Sequence, residues 1–154
     1  MASAEPLAAP PGRTLESILM AASRGVRRAY DIRLVGLDLK LSEAFLLGHV
    51  HTHGPMTQTQ LAESLGIGRA ATGSIIDALE RKDLVERSAH AGDRRVWLVA
   101  TTERAGPVVA QLAAVDVALR EELWTGISRA ERRQLSEILL RLQGNLAAIL
   151  TDQI

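Results

Sequence analysis

The feature that most restricts this chain is the stretch TQTQLAESLGIGRAATGSIIDALERK, in which two short apolar periodicities flank Gly66-Ile67-Gly68. Leu61, Ala62 and Leu65 recur at helical spacing before the break, and Thr72, Ile75, Ile76 and Leu79 do so after it, so each segment has one side to bury. A three-residue break gives the second helix, predicted over 69–82, no room to travel. The two must cross around a tight glycine-bearing turn, as a helix-turn-helix. Thr57 and Gln60 have the spacing of a capping box at the start of the first of them.

From Leu84 the pattern becomes extended. Residues 84–88 and 95–99 are β-prone runs joined by Ala89-His90-Ala91-Gly92-Asp93-Arg94, which predicts a hairpin, or wing, with a glycine-bearing loop. Upstream, Leu15, Ile18, Leu19, Ala22, Val26, Ala29 and Ile32 make one helical stripe, so a long first helix runs from Thr14 to Val35 or Gly36. Ser42 is the expected N-cap of a second helix carrying Phe45, Leu46, His49 and Val50 and stopped by Gly54-Pro55. A fifth helix is expected to start at Thr101-Thr102 or Gly106-Pro107 and run through Leu123. Ser128 and Glu131 form another capping box, opening a sixth helix with Leu135, Ile138, Leu139, Leu142, Leu146 and Ile149 on one side. Residues 1–12, with Pro6, Pro10 and Pro11 among small residues, read as a disordered tail. The fold class is therefore mainly α with a small β-hairpin wing. The terminal helices carry more apolar surface than so small a core can absorb, which points to a homodimer.

Composition removes several functions. With no cysteine among 154 residues, disulfides, thiolate metal sites and cysteine redox sensing are excluded. Eighteen basic residues balance eighteen acidic ones, so a polyanion partner requires a local patch. One Tyr, one Phe and two Trp are too few for a platform that stacks single-stranded bases, which favours duplex DNA. No apolar run approaches the roughly 20 residues of a membrane span and the start has no signal pattern, so a cytoplasmic protein without membrane contact is expected.

The segment LSEAFLLGHVHTHGPMTQTQLAESLGIGRAATGSIIDALERKDLVERSAHAGDRRVWLVATT resembles the core of a MarR-family regulator, through TQTQLAESLGI, DALERKDLVER and DRR above all. The resemblance extends over about 14–150. It implies a winged-helix domain over 13–154, with a DNA-binding lobe about 41–100 and dimerisation helices about 13–36 and 103–152. It also implies that the helix after Gly68 enters the major groove while the wing touches the minor groove. The expected DNA contacts are Thr57, Gly68, Arg69, Ala70, Gly73, Ser74, Arg87, Asp93, Arg94 and Arg95. Arg69 can make a bidentate guanine contact, and Gly73 within a helix suggests close approach to DNA. Asp93 is expected to steady the wing by pairing with an arginine such as Arg87, leaving Arg94 or Arg95 for the groove. Asp83 stands where the family often has glycine, and Ser74 where arginine is common.

Small aromatic or anionic effectors are implied as well, with Arg24, Arg28, Tyr30, His51 and His53 as polar candidates. His49, His51 and His53 cluster on the second helix, and Glu43 or Asp116 could add a carboxylate, but a tetrahedral metal site needs three or four ligands and none is required here. No metal or cofactor is expected. An enzyme is disfavoured, since no serine or histidine lies in a nucleophile elbow. The remaining alternatives are a winged helix that contacts only protein and a metal-responsive regulator. The main expectation is a homodimeric regulator, acting as a repressor at a pseudo-palindromic operator.

Overall fold

The computed structural model describes residues 14–90 and 92–151, without the side chains of His90, Asp93 and Arg94. The expected tail at 1–12 lies outside these residues, as does Ala91 of the expected loop. The elements run α1 (Leu15–Leu34), a 3-10 turn (Val35–Leu37), α2 (Leu41–His53), β1 (Met56–Thr57), α3 (Gln58–Leu65), α4 (Arg69–Arg81), β2 (Val85–His90), β3 (Asp93–Thr101), α5 (Ala105–Leu123) and α6 (Arg129–Thr151). No helix among the described residues is long and apolar enough to cross a membrane. The chain forms two compact units, residues 14–116 and 117–151.

The first unit holds the main core. Leu46, Leu47 and Val50 of α2, Leu61 of α3 and Ile76 and Leu79 of α4 close on Leu84, on Val85 of β2 and on Val99 of β3, together with Leu34 and Ala105. Glu43 is buried there too. Its carboxylate accepts from the Lys82 ammonium at 2.9 Å and from the Lys40 N–H at 2.9 Å, so the charge carries its partners inside. Lys40 is the N-cap of α2; Ser42 lies inside the first turn, one residue after the start. Glu43 can bond back to the amide of Lys40, and this decides the boundary.

The helix-turn-helix follows its sequence closely. The Thr57 hydroxyl accepts from the Gln60 N–H at 3.2 Å while Gln60 Oε1 accepts from the Thr57 N–H at 2.9 Å. α3 then ends in a left-handed Gly66 (φ +63°), with Gly66 N–H bonding to Glu63 and Ile67 N–H to Ala62. α4 ends in the same arrangement around Asp83 (φ +57°), with Asp83 N–H on Glu80 and Leu84 N–H on Leu79. A residue with a Cβ thus does at one helix end what glycine does at the other.

The wing departs from expectation in length. β2 and β3 pair through His90↔Asp93, so Asp93 and Arg94 belong to a strand and the expected six-residue loop shrinks. β1 was not expected: Met56 and Thr57 pair with Val99 and Leu98, making a three-stranded antiparallel sheet in the order β1-β3-β2. Two residues are too few to show a period. α5 starts at Ala105, whose N–H bonds to Thr102, between the two expected starts.

The second unit contains the end of α5 and α6. α6 opens as expected: Glu131 Oε2 accepts from the Ser128 hydroxyl at 2.6 Å and the Ser128 N–H at 2.8 Å, bonds that hold its carboxyl below the usual carboxylate range. None of the 23 residues of α6 is buried.

Candidate nucleic-acid interface

Thr72, Ile76 and Leu79 fix one side of α4 in the core, which turns Arg69, Ala70 and Ser74 outward. Gly68 is the N-cap and supplies no side chain to the first amides, so α4 begins with uncapped N–H groups at the positive end of its dipole. Such an end can take up an anion. Arg69 adds an exposed guanidinium.

Two expected contacts turn inward. The Thr57 hydroxyl is committed to the cap of α3. Gly73 is half-buried, and a Cβ there would come within 2.9 Å of Gln58 Nε2, which itself donates to the Arg69 carbonyl at 3.0 Å. The absent side chain at Gly73 thus makes room for the amide of α3 that packs on α4, an internal reason for this glycine. Ser74 Oγ donates to the Ala70 carbonyl at 3.1 Å.

Arg87 on β2 is likewise engaged by protein. Its Nη2 donates to Asp77 Oδ1 at 2.7 Å, its Nη1 pairs with Glu80 Oε2, and its N–H donates to Glu80 Oε1 at 3.1 Å. The Asp93 side chain, with which Arg87 was expected to pair, lies outside the described residues, as does that of Arg94. Arg95 is exposed on β3. Sequence reading missed Gln58, Asp77 and Glu80. The available signal was a pair of acids at i, i+3 on a helix otherwise suited to an anion, which invites a cation to offset them.

The expected effector residues fall on two helices. Arg24 and Arg28 are exposed on α1, and His51 and His53 are exposed at the end of α2. Tyr30 is held by Asp116, to whose Oδ1 its hydroxyl donates at 2.7 Å, and Glu43 by Lys82, so both carboxylates considered as metal ligands have other work. The His49 and His53 rings stack with centroids 4.2 Å apart, and His53 Nδ1 donates to the His49 carbonyl at 2.9 Å. His49 Nε2 is shielded from solvent without a hydrogen-bond partner; burial of the ring, then the neighbouring His53, lowers the His49 pKa. Among the described residues no three His, Cys, Asp or Glu side chains stand close enough to hold a metal ion.

The MarR family model matches residues 39–97, which run from just before α2 into the wing. The chain is similar over 88% of its length, and 99% of the other chain's, to the transcriptional regulator PA3341, at 32% identity and a TM-score of 0.76. A variant of MarR from E. coli complexed with operator DNA is 22% identical, with 83% of this chain and 92% of that one covered and a TM-score of 0.79. BpsR of Bordetella bronchiseptica, whose DNA binding is regulated by 6-hydroxynicotinic acid, is 17% identical, with 88% and 97% covered and a TM-score of 0.79.

Proposed function

Because the chain belongs to the MarR family of transcriptional regulators, we propose that it binds duplex DNA as a homodimer and represses transcription by occupying a promoter. The observation that carries this reading is α4: one side anchored in the core, the other presenting Arg69, Ala70 and Ser74 behind an uncapped N-terminus. Arg69 reads a base edge, and Arg94 and Arg95 of the wing bind the adjacent minor groove.

The dimer rests on uncovered apolar stripes. α1 leaves Leu15, Leu19 and Val26 exposed, and α6 leaves Leu135, Ile138, Leu146 and Ile149 exposed; a second copy covers them. Two α4 helices about one DNA turn apart, roughly 34 Å, then read an inverted repeat. A small anionic or aromatic effector, held by Arg24, Arg28, His51 and His53, releases DNA if it prefers an arrangement in which that spacing no longer fits.

The test is selection of bound sequences from a random duplex pool by the purified protein, with titration of the winner over a range of salt. An inverted repeat with strong salt dependence is expected. No enrichment at low salt would replace this reading with that of a winged helix that contacts only protein. On the selected site, Arg94→Ala with Arg95→Ala should lower the salt slope, by about 0.9 for each phosphate no longer neutralised. Arg69→Ala should relax preference at one base pair, at a cost of about 1–3 kcal/mol.

A further inference from the structure

Arg87 belongs to the wing yet spends its guanidinium on α4. Asp77 and Glu80 lie one turn apart on that helix, and the two prongs of Arg87 reach one carboxylate each, while the Arg87 backbone N–H takes the remaining Glu80 oxygen. A planar fork with fixed donors can span two acids in this way; a lysine, with one ammonium, cannot. The location matters. Arg87 pairs in register with buried Val99, at the root of the hairpin, whereas Ser88 and Ala89 just beyond it are exposed. Fixing Arg87 therefore fixes the direction in which the rest of the wing leaves the lobe.

We propose that Arg87, Asp77 and Glu80 form a clamp that sets the wing against the recognition helix, so that Arg87 is a positioning residue and not a DNA contact. The proposal rests on the DNA-binding reading above, and it has a consequence of unusual sign. Two carboxylates beside a polyanion should weaken binding, and removing them should strengthen it. If they hold the wing, removing them weakens binding instead.

The experiment uses the full chain and the duplex selected above. Asp77→Asn with Glu80→Gln is expected to bind on the order of tenfold more weakly, despite the loss of two negative charges, with an unchanged dependence on salt. Arg87→Ala should do the same, and Arg87→Lys should not restore affinity. Binding as tight as or tighter than the parent's by the double variant overturns the clamp. So does a salt slope reduced by about 0.9 in Arg87→Ala, the mark of a phosphate that Arg87 had neutralised, or full affinity in Arg87→Lys. A second readout needs no DNA: in Glu80→Ala, amide hydrogen exchange over residues 85–90 should accelerate while the thermal midpoint of the lobe holds. Unchanged exchange overturns the clamp. Accelerated exchange in a protein that selects no duplex keeps the clamp and removes the DNA reading, so the two failures are distinguishable.

Discussion

α4 and α6 are both amphipathic, yet they stand at opposite extremes of burial. α4 has 13 residues and buries Thr72, Ile76 and Leu79 within the lobe; α6 has 23 and buries none, with Leu146 and Ile149 about half exposed or more. The lobe holds a core of its own. An apolar stripe in a sequence announces that something must cover it, but not whether the cover lies in the same chain. The largest effects should therefore separate the regions by kind as well as by size. Leu47→Ala, at a fully buried site, should cost about 3 kcal/mol whatever the protein concentration, through lost transfer energy and the cavity left behind. Leu146→Glu with Ile149→Glu should shift sedimentation to the monomer and make the melting temperature of the parent, but not of the variant, rise with concentration. A parent whose melting is concentration-independent would mean that another partner covers α6.

The next effect tests a buried charge in the core of the lobe. Lys82 follows α4, and its ammonium pairs with the buried Glu43, to which the Lys40 N–H also donates. Lys82→Ala leaves the Glu43 charge in the core beside the Lys40 amide and should cost about 2 kcal/mol, below the usual range for a broken buried pair because the ammonium is partly solvated. Glu43→Gln with Lys82→Met should recover much of that loss. Urea unfolding of the three proteins measures both, and no recovery would mean that Lys82 acts by packing alone.

The same contrast explains what could be read in advance. The caps of α3 and α6, the Gly66 turn and the order of helices were legible because they depend on neighbours within four residues. Asp83, standing where the family often has glycine, takes the left-handed conformation open to glycine. β1 was not legible, since its two residues take their state from Val99 and Leu98 more than forty positions away. Nor was the pairing of Arg87 with Asp77 and Glu80, which depends on how β2 packs against α4. The residues that α4 turns outward could be named from helix phase, whereas the inward role of Gly73 needed the packing of α3 on α4.

That packing allows a finer test. Ala is better than Gly in a helix by about 1 kcal/mol, so Gly73→Ala should stabilise α4 unless its methyl group meets Gln58, 2.9 Å from where the Cβ would lie. Gln58→Ala removes the obstruction along with the bond to the Arg69 carbonyl. In the double-mutant cycle, Gly73→Ala should gain roughly 0.5 kcal/mol more in the Gln58→Ala background than alone. Equal gains in both backgrounds would return Gly73 to a role at the DNA surface, to be sought in binding and not in stability.

The smallest effect lies on α2, where the lobe's core meets its uncovered side: Leu46 and Val50 are buried, while Phe45 is 61% exposed. His49 sits between, and burial together with His53 depresses its pKa. The unfolded chain, with a histidine near 6.5, therefore takes up a proton more readily than the folded one as pH falls. The neutral ring's contribution is full above about 6.5 and is lost as pH drops from there toward the folded value. Thermal melts from mildly alkaline to mildly acidic pH should show the parent losing stability over this window and His49→Gln losing less. Cover supplied by a second copy over this side of α2 would deepen the depression, so the difference between parent and His49→Gln should widen as protein concentration rises. A difference independent of concentration would place His49 outside the dimer contact and leave its burial wholly to the lobe.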